Sequence, residues 1–340
     1  MGHLQMFPLF GDPSTGSGLW HFVKRGWDTV VFGTPAVIVF FVISGFCIHL
    51  PFRGAGQIDI PRYYLRRYIR ILVPVAGALL VYRMLGNKLL LWGEHSILWH
   101  SPLWSLACEE IYYAIYPGLR WLRNALQWKI LLPISFVLSV LVANQHPHAL
   151  DWHVFNPLGT AFILLPVWLL GCYLAEQSES LRPENAISSI WLWRFLGWLG
   201  CWVSEMLHFK AGISYTQTML WFGVFAFFWV RQEIIWGKTH SPNRYLVAGG
   251  AWSYSLYLVH AAGMDLAGFL PLNGLIIQVR WVVTMSCSLL FAYVFYQIVE
   301  RPSHKLARKF KVRGAQSPAG EDRAGPFPIA QDKLPAEEGA

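Results

Sequence analysis

Charge is scarce in this sequence. Only 14% of its 340 residues are Asp, Glu, Lys or Arg, where soluble globular proteins carry roughly a quarter. With 55% apolar residues and a mean hydropathy of +0.38, this excludes an ordinary soluble domain. Cysteine is thin as well: Cys47, Cys108, Cys172, Cys201 and Cys287 are far apart, with no CxxC pair and no histidine at ligand spacing. Neither a disulfide framework nor a metal site is supported. The opening MGHLQMFPLFGDPSTGSG lacks the basic start, apolar core and cleavage pattern of a secretory signal. No repeat of 20 to 50 residues is visible, and no inverted pair of Gly/Pro-broken helices of the kind that marks a transporter site. The excess of 27 basic over 19 acidic residues does not read as nucleic-acid binding, because the bases lie between apolar runs and not on the face of a soluble fold.

What the sequence has is long uncharged stretches. A helix crosses the hydrocarbon of a bilayer in about 20 residues. Residues 29–52, 130–150, 152–175, 211–230, 245–264 and 281–299 contain no Lys, Arg, Asp or Glu and are long enough to cross. Three further stretches carry isolated charges: 71–92 with Arg83 and Lys88, 103–119 with Glu109 and Glu110, and 187–207 with Arg194 and Glu205. Together they predict an all-α fold, a polytopic membrane helical bundle with nine spans. The 18 Trp, 14 Tyr and 22 Phe suit such a chain, since aromatic rings collect where hydrocarbon meets headgroups.

Lys and Arg separate over alternate loops. One set holds Arg53, Arg62, Arg66, Arg67, Arg70, Arg120, Arg123, Lys129, Arg182, Arg231, Lys238, Arg244 and the tail from Arg301; the other holds Lys24, Arg25, Arg83, Lys88, Lys210 and Arg280. Cytoplasmic loops carry the excess, so the first set and the C-terminus are expected inside and residues 4–28 outside. The chain divides into an N-terminal segment 1–28, a membrane core 29–313, and a tail 314–340 whose Pro, Gly, Ala and charge predict cytoplasmic disorder.

Ionisable groups inside a bilayer cost a few kcal/mol and mark function by default. Glu109 and Glu110 lie in LWSLACEEIYYAIYP, apolar and aromatic on both sides; adjacent helical residues point about 100° apart, so one of the two is aimed at a given cavity. A plain salt bridge to a neighbouring helix carries equal weight. IPRYYLRRYIRILVP sets Arg62, Arg66, Arg67 and Arg70 at helical spacings. Such a row is attracted to anionic lipid at about 1 kcal/mol per residue, or clamps the phosphates of a nucleotide-like cofactor through bidentate guanidinium bonds.

FFVISGF (Phe40 to Phe46), YLRRYIRILVP (Tyr64 to Pro74), LWSLACEEIYYAIYP (Leu103 to Pro117), WSYSLYLVH (Trp252 to His260) and VERP (Val299 to Pro302) occur in that order. This succession resembles the integral-membrane acyltransferase 3 family, whose members have ten core helices and move an acyl group from cytoplasmic acyl-CoA to a hydroxyl of a sugar or other acceptor. The family's first helix carries an Arg or Lys followed ten residues later by a His. By that resemblance His3 matches the histidine, its basic partner falls before Met1, and the first helix is truncated, which makes nine spans plus part of a tenth. His21, near Lys24 and Arg25 but without an apolar helix around it, is the weaker substitute, and a complete chain with His3 unimportant is the alternative.

The resemblance implies a site in which His3 is the base, Glu109 or Glu110 orients it or binds the acceptor, and Arg62, Arg66, Arg67 and Arg70 hold acyl-CoA. Ser44 and Gly45 either allow close approach of the donor or pack helices through small residues. Trp104, Ser105 and His260 are candidate acceptor residues, with packing slightly favoured for His260. Direct attack by the acceptor and a covalent acyl-histidine relay both stay open. The expected activity is membrane O-acyl transfer, acetyl by family frequency, to an exopolysaccharide, lipopolysaccharide or similar hydroxyl at the inner (plasma) membrane. The partners are acyl-CoA, a glycan and the bilayer, with no metal and no nucleic acid. The rival is a secondary transporter of a sugar or lipid-linked substrate.

Overall fold

A computed structural model describes residues 7–8, 33–54, 58–86, 103–151, 154–272 and 274–310. His3, His21, Lys24, Arg25 and Lys88, the expected truncated first helix and the tail from 314 onward lie outside the described residues.

Every regular element among the described residues is helical. In chain order they are α1 (Thr34–His49), α2 (Ile60–Met84), α3 (Trp104–Ala125), α4 (Trp128–Ala143), α5 (Pro157–Gln177), α6 (Ile190–Ala211), α7 (Tyr215–Gly237), α8 (Arg244–Ala251), α9 (Ser253–Gly268), α10 (Ile277–Phe295) and α11 (Arg301–Arg308). A 3₁₀ turn (Leu50–Phe52) follows α1, and a π turn (Tyr296–Glu300) joins α10 to α11 in one continuous rod. Four stretches are long and apolar enough to cross a membrane: Thr34–Phe52, Pro157–Gln177, Tyr215–Gly237 and Ile277–Arg308.

A helix coincides with most of each uncharged stretch read from the sequence, and the boundaries move for local reasons. Proline at the first position and the Asn156 side chain, which accepts from Gly159 N at 2.8 Å, start α5 at 157 and not 152. Gly212, at φ +66°, ends α6, and Ser214 caps α7, so residues 212–214 separate the two helices. The arginine row and the span after it are a single helix, α2, which continues through Pro74. The stretch 245–264 is broken at Trp252 into α8 and α9.

The helices pack in two groups. In one, α1 lies along α5, flanked by α4, α6 and α7; in the other, α9 and α10 pair, and α2 packs on α9, the π turn and α11. Helix α3 stands between the groups, against α5 on one side and α2 on the other. The α1–α5 contact is a meeting of backbones: a Cβ on Gly45 would lie 2.0 Å from Trp168 O, and one on Gly171 would lie 2.0 Å from Val42 O. Small residues allow this close approach in apolar surroundings, where dispersion replaces the hydrophobic drive.

Arginines gather at one end of the bundle and are tied to helix ends there. Glu176, in the last turn of α5, receives hydrogen bonds from His49 Nε2 (3.0 Å), Arg123 (2.5 Å) and Trp128 Nε1 (2.7 Å). One carboxylate thus fastens α1, α3, α4 and α5. Lys238 donates to Ser178 O (2.7 Å) and Leu181 O (2.6 Å), satisfying carbonyls just past α5. At the other end Ser214 Oγ donates to Ala149 O at 2.7 Å, and Gln278 donates to Pro8 O at 3.0 Å.

Candidate active site

Proline shapes the centre of α3. Pro117 has no N–H, so the carbonyl of Tyr113 four residues earlier loses its helical donor. The Tyr63 hydroxyl of α2 supplies one at 3.2 Å, and the neighbouring Tyr64 hydroxyl donates to Ala114 O at 2.6 Å. These two bonds hold α2 against α3 and set the arginine row beside the glutamates.

One turn before Tyr113, Glu109 is 6% exposed. Its Oε1 accepts from Ser44 Oγ at 2.7 Å and from the Tyr113 hydroxyl, and Trp168 Nε1 donates to Ser44 Oγ at 3.3 Å. Helices α1, α3 and α5 therefore each contribute one group to fixing this carboxylate. Glu110 is half-buried, and its Oε1 is sealed from solvent with no hydrogen-bond partner among the described residues. The Arg67 guanidinium lies 5.4 Å from the centre of the Tyr113 ring, and its charge acts on both glutamates; that of Arg70 acts on Glu109. Cys47 on α1 and Arg70 on α2 interact electrostatically.

The four arginines are not equivalent. Arg62 is exposed and pairs at 3.3 Å with Asp59, the residue that caps α2. Arg66 is half-buried and its charge acts on Arg70. Arg67 and Arg70 are the two whose charges reach Glu109. Ser44 and Gly45 separate likewise: the Ser44 hydroxyl is spent on Glu109, and Gly45 faces the backbone of α5, the helix-packing alternative.

Of the three acceptor candidates, Ser105 shares a hydrogen bond of 2.8 Å with the Tyr257 hydroxyl, which joins the start of α3 to α9. Trp104 meets Phe41 edge-on at 6.4 Å. His260, one turn beyond Tyr257, places Nδ1 2.9 Å from Tyr257 O. A carbonyl only accepts, so Nδ1 is the donor in this contact. Among the described residues no three His, Cys, Asp or Glu side chains are grouped to hold a metal.

Sequence reading missed Tyr113, Trp168, Tyr257 and Cys47. Tyr113 had a signal, since i,i+4 pairs on a helix meet. Trp168 and Tyr257 are 124 and 152 residues from their partners and had none.

A family model described as an acyltransferase domain matches residues 1–297. Comparisons with curated proteins and with solved structures give no match. The matched stretch takes in α1 to α10 and, with them, the Arg67–Glu109–Glu110 centre. The chain belongs to the acyltransferase 3 family.

Proposed function

We propose that this chain is a membrane O-acyltransferase that moves an acetyl group from cytoplasmic acetyl-CoA to a sugar hydroxyl of an exopolysaccharide, lipopolysaccharide or similar acceptor. The reading rests on one observation above all: Arg67 lies over the ring of Tyr113, one turn from Glu109, and its charge acts on both Glu109 and Glu110. A cationic entry beside a sealed carboxylate suits a donor whose phosphates are charged and whose thioester must enter an apolar interior. In this account nine spans, with the tenth supplied by the first helix, set the basic end and the C-terminus in the cytoplasm of an inner (plasma) membrane protein.

A hydroxyl is a poor nucleophile at neutral pH and needs a base. His3 takes the acceptor proton, the hydroxyl oxygen attacks the thioester carbonyl, and the C–S bond of the tetrahedral intermediate breaks. The CoA thiolate leaves and is protonated, and an oxygen ester remains on the acceptor. Glu109, fixed by three helices, orients the imidazole or the acceptor hydroxyl. Arg67 and Arg70, with Arg66 beside them, hold the pyrophosphate end. Trp104, Ser105 and His260 line the acceptor's path.

Membrane vesicles carrying the chain, given acetyl-CoA labelled in the acetyl group and a glycan extract from the same cells, are expected to yield label in alkali-labile ester on the glycan. Label that stays on CoA or appears as free acetate alone, with glycan uptake into the vesicles, would favour the transporter instead.

A further inference from the structure

Helix α11 carries a row of cations that the site described above does not use. Arg301, Lys305 and Arg308 stand at i, i+4 and i+7, and Lys309 follows directly, so the four share one side of the helix, and all four are exposed. Ser303 and Ala307, on the other side, are buried, and α11 packs on α2 and the π turn. Among the described residues no carboxylate forms an ion pair with any of the four; Arg301 donates to Gln297 Oε1 at 2.8 Å. The carboxylate that opens this stretch, Glu300, is engaged inside the protein: it is 1% exposed, Oε2 accepts from Ser255 N at 3.0 Å, and Oε1 stands 3.6 Å from His304 Nε2. Like charges one turn apart destabilise a helix, so a row without an internal counter-charge calls for an anion from outside.

The depth of the row says which anion. Helix α10, the π turn and α11 form one rod, and between Arg280 near its start and Arg301 the sole charged residue is the buried Glu300. That interval measures about 30 Å at 1.5 Å per residue, the thickness of the hydrocarbon core of a bilayer. Leu290, Tyr293, Val294 and Ile298 are large and exposed along it, as suits a side facing lipid chains. Past Ile298 the exposed side chains become Arg301, Lys305, Arg308 and Lys309, with exposed Leu306 among them. The outer side of the rod therefore turns from apolar to cationic where hydrocarbon gives way to phosphate. Long basic side chains suit that boundary, because their stems lie on apolar surface while their charged ends reach the headgroups.

We propose that the exposed side of α11 is a docking surface for anionic phospholipid headgroups, whose phosphates pair with Arg301, Lys305, Arg308 and Lys309. Clusters of four or more basic residues directly beyond a membrane span attract an anionic leaflet in this way. Because α11 packs on α2, lipid held there also steadies the helix that carries Arg67 and Arg70. The proposal rests on α10 as a membrane span and does not depend on which acyl donor or acceptor the site takes.

Native mass spectrometry of the full chain in detergent tests it, by titration with phosphatidylglycerol or with phosphatidylcholine of the same acyl chains. The chain with Arg301→Gln, Lys305→Gln, Arg308→Gln and Lys309→Gln together is expected to bind its first phosphatidylglycerol at least tenfold more weakly, with phosphatidylcholine affinity within threefold of wild type and Tm in detergent unchanged. Arg301→Lys with Arg308→Lys, which keeps the charge, is expected to hold phosphatidylglycerol within threefold. If the fourfold variant does not fold, Lys305→Gln with Lys309→Gln, farther from the π turn, serves in its place, with an expected loss of at least threefold. Phosphatidylglycerol affinity unchanged in these Gln chains, or an equal loss for both lipids, overturns the proposal. The donor's own phosphates are the other source of such an anion. Acetyl-CoA Kd in the fourfold variant is expected to stay within threefold of wild type, and a larger loss would assign the row to the donor and overturn its assignment to lipid.

Discussion

Glu109→Gln is expected to fold and to lose at least a hundredfold in acyl transfer. The amide oxygen still accepts from Ser44 Oγ and the Tyr113 hydroxyl, so the three-helix contact survives. What disappears is the negative charge that would stabilise a protonating imidazole or draw the acceptor proton, an effect of order 10²–10⁴ for a positioned acid–base group. Glu110→Gln provides the comparison. Its Oε1 makes no hydrogen bond among the described residues, so replacing the charge by an amide is expected to cost tenfold or less. The measurement is initial rate with labelled acetyl-CoA, beside the melting temperature of each purified chain. Glu109→Gln within threefold of wild type, at unchanged Tm, would remove Glu109 from the chemistry and leave it a structural hub.

Gly171→Ala is expected to be the most damaging single-methyl change in the membrane core. The added carbon falls 2.0 Å from Val42 O and 2.8 Å from Phe46 N, both backbone atoms of α1. Neither can rotate away as a side-chain tip would, so α1 must move off α5. Overpacking costs typically 1–3 kcal/mol, and with a rigid helix as the obstacle the expected loss is ~3 kcal/mol. It also withdraws Ser44 from Glu109, so activity falls with stability. Gly118→Ala, also in a helix but with nothing within 4 Å of the new carbon, is expected to be neutral or slightly stabilising, since alanine favours helix over glycine. Thermal melting in one detergent compares the two; equal Tm values would mean that the α1–α5 contact is looser than the geometry indicates.

These two expectations also show where sequence reading succeeds and where it stops. Helices were legible because absence of charge over 20 residues is a one-dimensional property. The arginine row and the paired glutamates were legible as residues with no reason to be apolar neighbours. Which arginine does what was not: Arg62 is captured by Asp59 three residues away, whereas Arg67 and Arg70 are singled out by helices that meet them from elsewhere in the chain. The close approach at Gly45 was open between two readings, because the residue that decides it, Trp168, is 123 positions distant. Pro117 is instructive in a different way. Its missing N–H follows from the residue type alone; that the Tyr63 hydroxyl supplies the donor which Tyr113 O then lacks required the fold. Glu300 stood in the VERP block without a role until Ser255, 45 positions away, was brought to it. His3, on which the proposed base depends, lies outside the described residues.

The account's central claim is that α2 receives an anionic acyl donor at Arg67 and Arg70 beside Glu109. Direct titration of acetyl-CoA into the full chain in nanodiscs tests it, using Arg62→Gln, Arg67→Gln and Arg70→Gln in turn. Losing one charge-assisted contact of 1.5–3 kcal/mol corresponds to roughly ten- to a hundredfold in Kd. The expected result is a loss of at least tenfold for Arg67→Gln and for Arg70→Gln, and less than threefold for Arg62→Gln, whose guanidinium is held by Asp59. Equal affinity in all four chains, or the largest loss at Arg62, would contradict the claim and return the arginine row to the lipid surface.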